Sequence, residues 1–160
     1  SGAHFNPGIT MGMVVMGYCN AMNFFMYFLM HIMASVAAAG LRTLLLGGGN
    51  SKHGDPFNSN DMIVLFIYYA GAQIILTVIY MIIAVNSKAP RAAFCFCVPL
   101  AQLFVSTFST MPGFVLLGNC SVIFGAVLFN QHWGALISTT LGSIVGGGLG
   151  GLIYKVAFAD

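Results

Sequence analysis

The scarcity of charged side chains constrains this chain more than any other feature of its sequence. The first charged residue is Arg42, and the stretch TMGMVVMGYCNAMNFFMYFLMHIMASVAAAGL before it is long and apolar. Charged residues make up 5% of the chain and hydrophobic residues 59%, whereas soluble domains carry about 25% charged residues. With a mean hydropathy of +0.93, the composition predicts an integral, multi-pass protein of the plasma membrane or an intracellular membrane.

Four apolar stretches are long enough to cross a bilayer as helices, which takes about 20 residues. They cover residues 22–46, 62–85, 92–111 and 134–157. Two further apolar pieces, 9–18 and 112–133, are too short or too interrupted to span, and such segments are typically re-entrant or interfacial. Each is entered through an Asn and precedes a full span. Short interrupted segments in corresponding positions of a membrane protein indicate a pathway at the bilayer midplane.

The acidic residues give no support for catalysis or ion coupling. Asp55, Asp61 and Asp160 lie in predicted loops or at the chain end, and the sequence contains no Glu. No pair is positioned for general acid–base work, and no acid lies inside a span, so an enzyme and an ion-coupled transporter are both disfavoured. The His and Cys residues lack metal-ligand spacing, so no metal or other cofactor is expected. A net charge of +2 is too small to indicate nucleic-acid binding.

The turn Asn6-Pro7-Gly8 stands at the entrance to the first short apolar piece. Pro suits the first position of a helix, because its missing N–H would have no partner there in any case. Asn6 is therefore predicted to be the N-cap of a short helix. A helix that begins inside the bilayer is tolerated only where protein buries its end or where it lines a water-filled cavity. The Asn amide and the positive end of the helix dipole would both point into that cavity.

These residues resemble the first signature of the major intrinsic protein family, the aquaporins and glycerol channels. SGAHFNPGIT is similar to the family's S-G-A-H-x-N-P-A-V-T, from which only Gly8 and Ile9 depart. The segments MYFLMH, HIMASVAAAG and QHWGALISTTLGSIVGGGLGGLIY are similar to later family segments, so the resemblance covers essentially the whole chain. It implies an all-α membrane protein, an aquaporin-like bundle with two re-entrant half-helices in one domain over residues 1–160. It also implies that the chain begins at the first half-helix and lacks the family's first two transmembrane spans.

The family's second signature, G-x-N-P-A-R-S-F-G, falls on LGNCSVIFG at residues 117–125. Asn119 is kept, whereas Cys120, Ser121 and Val122 stand in place of Pro, Ala and Arg. The resemblance implies that the pore is lined by Asn6, Pro7, Gly8, Asn119, Cys120 and Ser121. The replaced Arg belongs to the family's narrow selectivity filter, whose other visible positions fall on Thr107 and Leu116. A filter of Thr107, Leu116 and Val122 is uncharged and largely apolar.

Two Asn donors that meet at the midplane would orient one water or one hydroxyl group at a time, and opposed half-helix dipoles would repel cations. The resemblance therefore implies a passive channel for water, small neutral solutes or both, assembled as a homotetramer in the lipid bilayer. Loss of the filter Arg is expected to widen the constriction, make it more apolar and weaken proton exclusion, or else to close the pore by dewetting. The altered residues 120–122 leave open a second interpretation, a non-conducting family member with a structural or regulatory role. His4 is expected either to line the vestibule or to form a structural hydrogen bond to loop backbone.

Overall fold

The computed structural model describes residues 4–46, 62–85, 91–108, 119–130 and 133–158. Six α-helices follow one another through these ranges: α1 (Pro7–Val15), α2 (Ala21–Leu46), α3 (Met62–Ala84), α4 (Arg91–Phe108), α5 (Cys120–Asn130) and α6 (Trp133–Ala157). Three of them, α2, α3 and α6, are long and apolar enough to cross a membrane. The 23 residues of α3 extend about 34 Å, which matches a hydrocarbon core of about 30 Å.

The predicted spans 22–46, 62–85 and 134–157 are confirmed as α2, α3 and α6. The predicted third span, 92–111, is helical as α4 from Arg91 to Phe108 and contains Pro99; its last residues lie outside the described ranges. The short piece at 9–18 forms α1, and the piece at 112–133 contains α5. The protein is therefore all-α across the described residues, with two short helices that each precede a longer one.

Helix α6 holds α1 and α3 together because it presents small residues to both. Gly142, Gly146 and Gly150 lie against the backbone or Cβ atoms of α3, and Gly147 and Gly151 lie against the backbone of α1. Later glycines contact later residues of both partners, so the three helices run in the same direction. Small residues at four-residue spacing allow this close approach of backbones within a membrane.

The second short helix, α5, packs against α2 and α6. Ser35 of α2 accepts a hydrogen bond from the backbone N–H of Gly125 at 2.9 Å and donates to the carbonyl of Val122 at 3.3 Å. Apolar side chains of α5 complete a core with α3 and α6, formed mainly by Leu65, Tyr69, Leu76, Ile123, Val127, Ala135 and Leu136. These contacts place the beginning of α5 close to the beginning of α1.

Candidate functional site

Helix α1 begins about half-way along the membrane-spanning helices beside it. Gly8 lies against Gln73, the central residue of α3, and against Gly147 near the centre of α6. The nine residues of α1 cover about 14 Å, roughly half the hydrocarbon thickness of a bilayer. The helix therefore runs from the level of the membrane centre towards one surface.

The N-terminus of α1 is capped by Asn6, as the sequence predicts. The Oδ1 atom of Asn6 accepts a hydrogen bond from the backbone N–H of Gly8 at 2.9 Å, and Pro7 occupies the first helical position. The backbone N–H and the hydroxyl of Thr10 both donate to the carbonyl of Asn6 at 3.0 Å. Asn6 and Thr10 are buried, at 3% and 0% exposure. The bond from Gly8 orients the Asn6 side chain, and the two bonds from Thr10 fix the backbone of Asn6 at the beginning of the helix.

The N-terminus of α5 has an equivalent cap, Asn119, which also connects the two short helices. Its Oδ1 accepts hydrogen bonds from the backbone N–H of Ser121 at 3.2 Å and from the Ser121 hydroxyl at 2.7 Å. Its Nδ2 donates to the carbonyl of Phe5, directly before Asn6, at 2.7 Å. One side chain therefore caps α5 and binds the segment that leads into α1, so the positive ends of two helix dipoles meet near the membrane centre.

The backbone of Phe5 adopts a conformation that presents its carbonyl to Asn119. Its φ angle is +46°, a left-handed conformation that costs a non-glycine residue about 1–2 kcal/mol. The ring is 73% exposed within the described chain, so burial of the side chain does not compensate for this cost. The hydrogen bond from Asn119 offsets part of it, and the strained residue lies where the two helix N-termini meet.

The predicted pore and filter residues differ in how much surface they present. Asn6, Pro7, Gly8, Cys120 and Ser121 are buried among the helices, and Asn119 is half-buried. Val122, one residue further along α5, is 46% exposed. Thr107 lies near the end of α4, where side chains are not described, and Leu116 lies outside the described residues. Lining of a pore by these residues remains a prediction.

His4 lies within hydrogen-bond distance of a side chain of α1. Its Nδ1 lies 3.2 Å from the hydroxyl oxygen of Thr10. Because that hydroxyl donates to the Asn6 carbonyl, the Nδ1–H of His4 is the donor to Thr10. The ring meets Tyr27 and Tyr80 edge-on, with centroids 5.9 and 5.8 Å apart. His4 thus supports the capped turn, and its place in a vestibule stays a prediction.

Two polar residues of α3 that belong to neither signature lie beside the first turns of α1. Gln73 and Thr77 are both fully buried, and Nε2 of Gln73 donates to the Thr77 hydroxyl at 3.2 Å. The methyl carbon of Thr77 faces Gly12 of α1. Their signal in the sequence is a Gln in the middle of an apolar span, since polar residues inside membranes are usually functional. A Thr four residues later lies on the same helix face.

The sequence of this chain is similar to those of known proteins. A family profile described as Major intrinsic protein matches residues 1–154. Aquaporin TIP4-1 of Arabidopsis thaliana is 28% identical over 163 residues, which cover 97% of this chain and 63% of the relative. Aquaporin TIP1-1 of Zea mays is 25% identical over 161 residues, covering 99% and 63%. Aquaporin Z of Rhodopseudomonas palustris is 25% identical over 169 residues, covering 98% and 70%. The chain thus spans just under two thirds of the length of these plant relatives.

Proposed function

Because the chain belongs to the major intrinsic protein family, we propose that it is a passive transmembrane channel for water, small neutral solutes or both. The observation that carries this proposal is the 2.7 Å hydrogen bond from Asn119 to the Phe5 carbonyl, which brings two Asn-capped helix N-termini together near the membrane centre. The names of the similar proteins, which include aquaporins of plants and of a bacterium, point to the same class of solute.

The selectivity follows from the charge and polarity around these N-termini. Two helix dipoles that point their positive ends at one place repel cations, and backbone N–H groups with Asn amides favour neutral hydrogen-bonding solutes. Val122 stands in the family's Arg position and is 46% exposed on α5. With Thr107 and Leu116 at the other visible filter positions, the constriction is uncharged and more apolar than in the family pattern. Small neutral solutes then compete with water, and the barrier to protons is lower.

The second interpretation is a non-conducting family member with a structural or regulatory role in the membrane. Two observations favour it. Cys120, Ser121 and Val122 replace the family's Pro-Ala-Arg. One amide hydrogen of Asn119 is also engaged by Phe5, which leaves this residue fewer donors for a passing solute. In either case the protein acts in the lipid bilayer, and the assembly carried over from the family is a homotetramer.

Stopped-flow light scattering on proteoliposomes of the full-length protein distinguishes the two functions. One gradient uses an impermeant osmolyte and reports water movement; a second uses glycerol and reports entry of a small neutral solute. If the protein is a channel, vesicles that contain it shrink or refill faster than empty liposomes. The rates in the two gradients then rank water and glycerol. Rates equal to those of empty liposomes, for protein that is folded and inserted, would reject conduction and support the structural role.

A further inference from the structure

Gly8 and Gln73 are in direct contact where the first short helix meets the centre of α3. A methyl group at residue 8 would overlap Cγ and Cδ of Gln73 and would lie 2.7 Å from the carbonyl oxygen of Ser143. Gly8 lies inside α1, where its backbone is helical, so conformational freedom does not explain a glycine here. The lack of space explains it, because Gln73 of α3 and the backbone carbonyl of Ser143 on α6 together leave no room for a methyl group. The departure from the family's Ala at this position is therefore tied to a side chain on another helix.

Gln73 fills this space although the site satisfies its polar atoms incompletely. It is fully buried, and its Nε2 donates to Thr77, but its Oε1 has no hydrogen-bond partner among the described residues. An unpaired buried carbonyl destabilises a protein, and natural proteins accept such costs mainly at functional sites. Gln73 also stands at the level where the two capped N-termini meet.

A single hydrogen bond connects Gly8 to the Asn6 amide. The backbone N–H of Gly8 itself donates to Oδ1 of Asn6 at 2.9 Å. Any displacement of residue 8 away from Gln73 therefore moves the donor that orients the Asn6 side chain. On the other side of α1, Gly147 lies against the Gly8 carbonyl, so residue 8 is held between α3 and α6.

We propose that Gln73 is a positioning residue for the pore, matched in size to Gly8, and that this pair sets the depth of α1 and the orientation of Asn6. The inference rests on the proposed channel function. It predicts that Gly8→Ala shifts α1 and impairs conduction, and that shortening residue 73 restores part of the space and part of the function.

The test is a double-mutant cycle on the full-length protein with Gly8→Ala, Gln73→Ser and the two combined. Gln73→Met combined with Gly8→Ala is the volume control, because Met keeps the length of Gln without its amide. Gly71→Ala on α3 is the matched control for a Gly-to-Ala change, since no atom of the described residues lies within 4 Å of the added methyl group. Each variant is measured for thermal unfolding midpoint, for water permeability and for the ratio of glycerol to water permeability.

We expect Gly8→Ala to lower both the midpoint and the water permeability several-fold more than Gly71→Ala does, and to change the permeability ratio. Gly8→Ala with Gln73→Ser should recover part of each loss, because only the close approach to the Ser143 carbonyl remains, and Gly8→Ala with Gln73→Met should recover none. Additive losses in the double variant, an unimpaired Gly8→Ala, or equal rescue by Ser and Met would each overturn the proposal. If the wild type does not conduct, the channel function fails, whereas the midpoints still decide whether residues 8 and 73 are matched in size.

Discussion

Asn119 uses both ends of its side-chain amide, and this dual use explains how a departure from the family signature is tolerated. The carbonyl oxygen caps α5 through Ser121, and the NH₂ group binds the Phe5 carbonyl. The Ser121 hydroxyl gives the cap a second donor at 2.7 Å, which the Ala of the family pattern does not offer. Ser in this position thus stabilises the cap where Cys120 takes the place of Pro.

Replacing Asn119 by Asp tests the bridging hydrogen bond to Phe5 separately from the helix cap, because only the hydrogen bond to Phe5 is lost. The carboxylate still accepts from Ser121, but its second oxygen faces the Phe5 carbonyl, where the amide had donated a hydrogen bond. We expect a loss of stability of about 1–3 kcal/mol and a lower water permeability, because the two helix N-termini separate. Thermal unfolding and stopped-flow measurements check this. Ser121→Ala is the control, since it removes one cap bond and keeps the bridge; if it lowers stability as much as Asn119→Asp, the bridge is not what matters.

The proposed apolar filter can be tested by restoring a charge at Val122. Its side chain is 46% exposed on α5, so an Arg fits there without displacing a buried neighbour. Val122→Arg should lower the glycerol-to-water permeability ratio several-fold and reduce proton leak, because the longer side chain would narrow the constriction and its fixed positive charge would repel protons. Glycerol and water gradients, with a pH-sensitive dye inside the vesicles, measure both. Val122→Met separates size from charge, and equal effects of Met and Arg on proton leak would contradict a role for charge.

At the level of helices, the position of α1 depends on how closely α6 approaches it. Gly147 faces the Gly8 backbone, whereas a methyl group at the adjacent Gly148 would lie 3.6 Å from Met11 and 3.8 Å from Val15, which are ordinary contacts. The two neighbouring glycines thus have opposite surroundings. Backbones that touch through glycines cannot accept a side chain without moving apart.

We therefore predict that Gly147→Ala displaces α1 and lowers the unfolding midpoint and the water permeability, while Gly148→Ala leaves both near the wild-type values. Overpacking of this kind typically costs about 1–3 kcal/mol. Thermal unfolding in detergent and vesicle shrinkage provide the measurement. Similar behaviour of the two variants would mean that α1 is not positioned by its contact with Gly147.

The helices could be predicted from the sequence more fully than the contacts between them. A run of about 20 apolar residues is a strong signal, and α2, α3 and α6 begin and end within one residue of the predicted spans. The cap at Asn6 was also predictable, because Asn followed by Pro is a local signal for the beginning of a helix. The contacts of Gly8 with Gln73, of Gly125 with Ser35 and of Asn119 with Phe5 join distant parts of the chain. Periodicity within one helix carries no information about them.

For the whole molecule, the common level of the two capped N-termini connects the fold to the proposed channel function. The centre of α3, the centre of α6 and the beginning of α1 lie at one level, and Asn119 brings the beginning of α5 to it. In hydrocarbon, helix ends are tolerated there only if protein buries them or water reaches them. The end of α1 is buried by protein at its Asn6 cap. At the end of α5, the half-buried Asn119 and the exposed Val122 provide the surface that a passing solute would meet.

The most direct test of this account compares the same chemical change at two Asn caps. Asn6 caps α1 near the membrane centre, whereas Asn20 stands just before α2 and accepts from the backbone N–H of Asn23 at 2.7 Å. Asp keeps either cap, since it also accepts from backbone N–H groups, but it removes the NH₂ donor and adds a charge. Stopped-flow water permeability is measured on proteoliposomes of the full-length wild type, Asn6→Asp and Asn20→Asp.

We predict that Asn6→Asp protein that folds and inserts has a permeability close to that of empty liposomes, and that Asn20→Asp conducts like the wild type. Wild-type conduction by inserted Asn6→Asp protein would contradict a pathway past the paired caps.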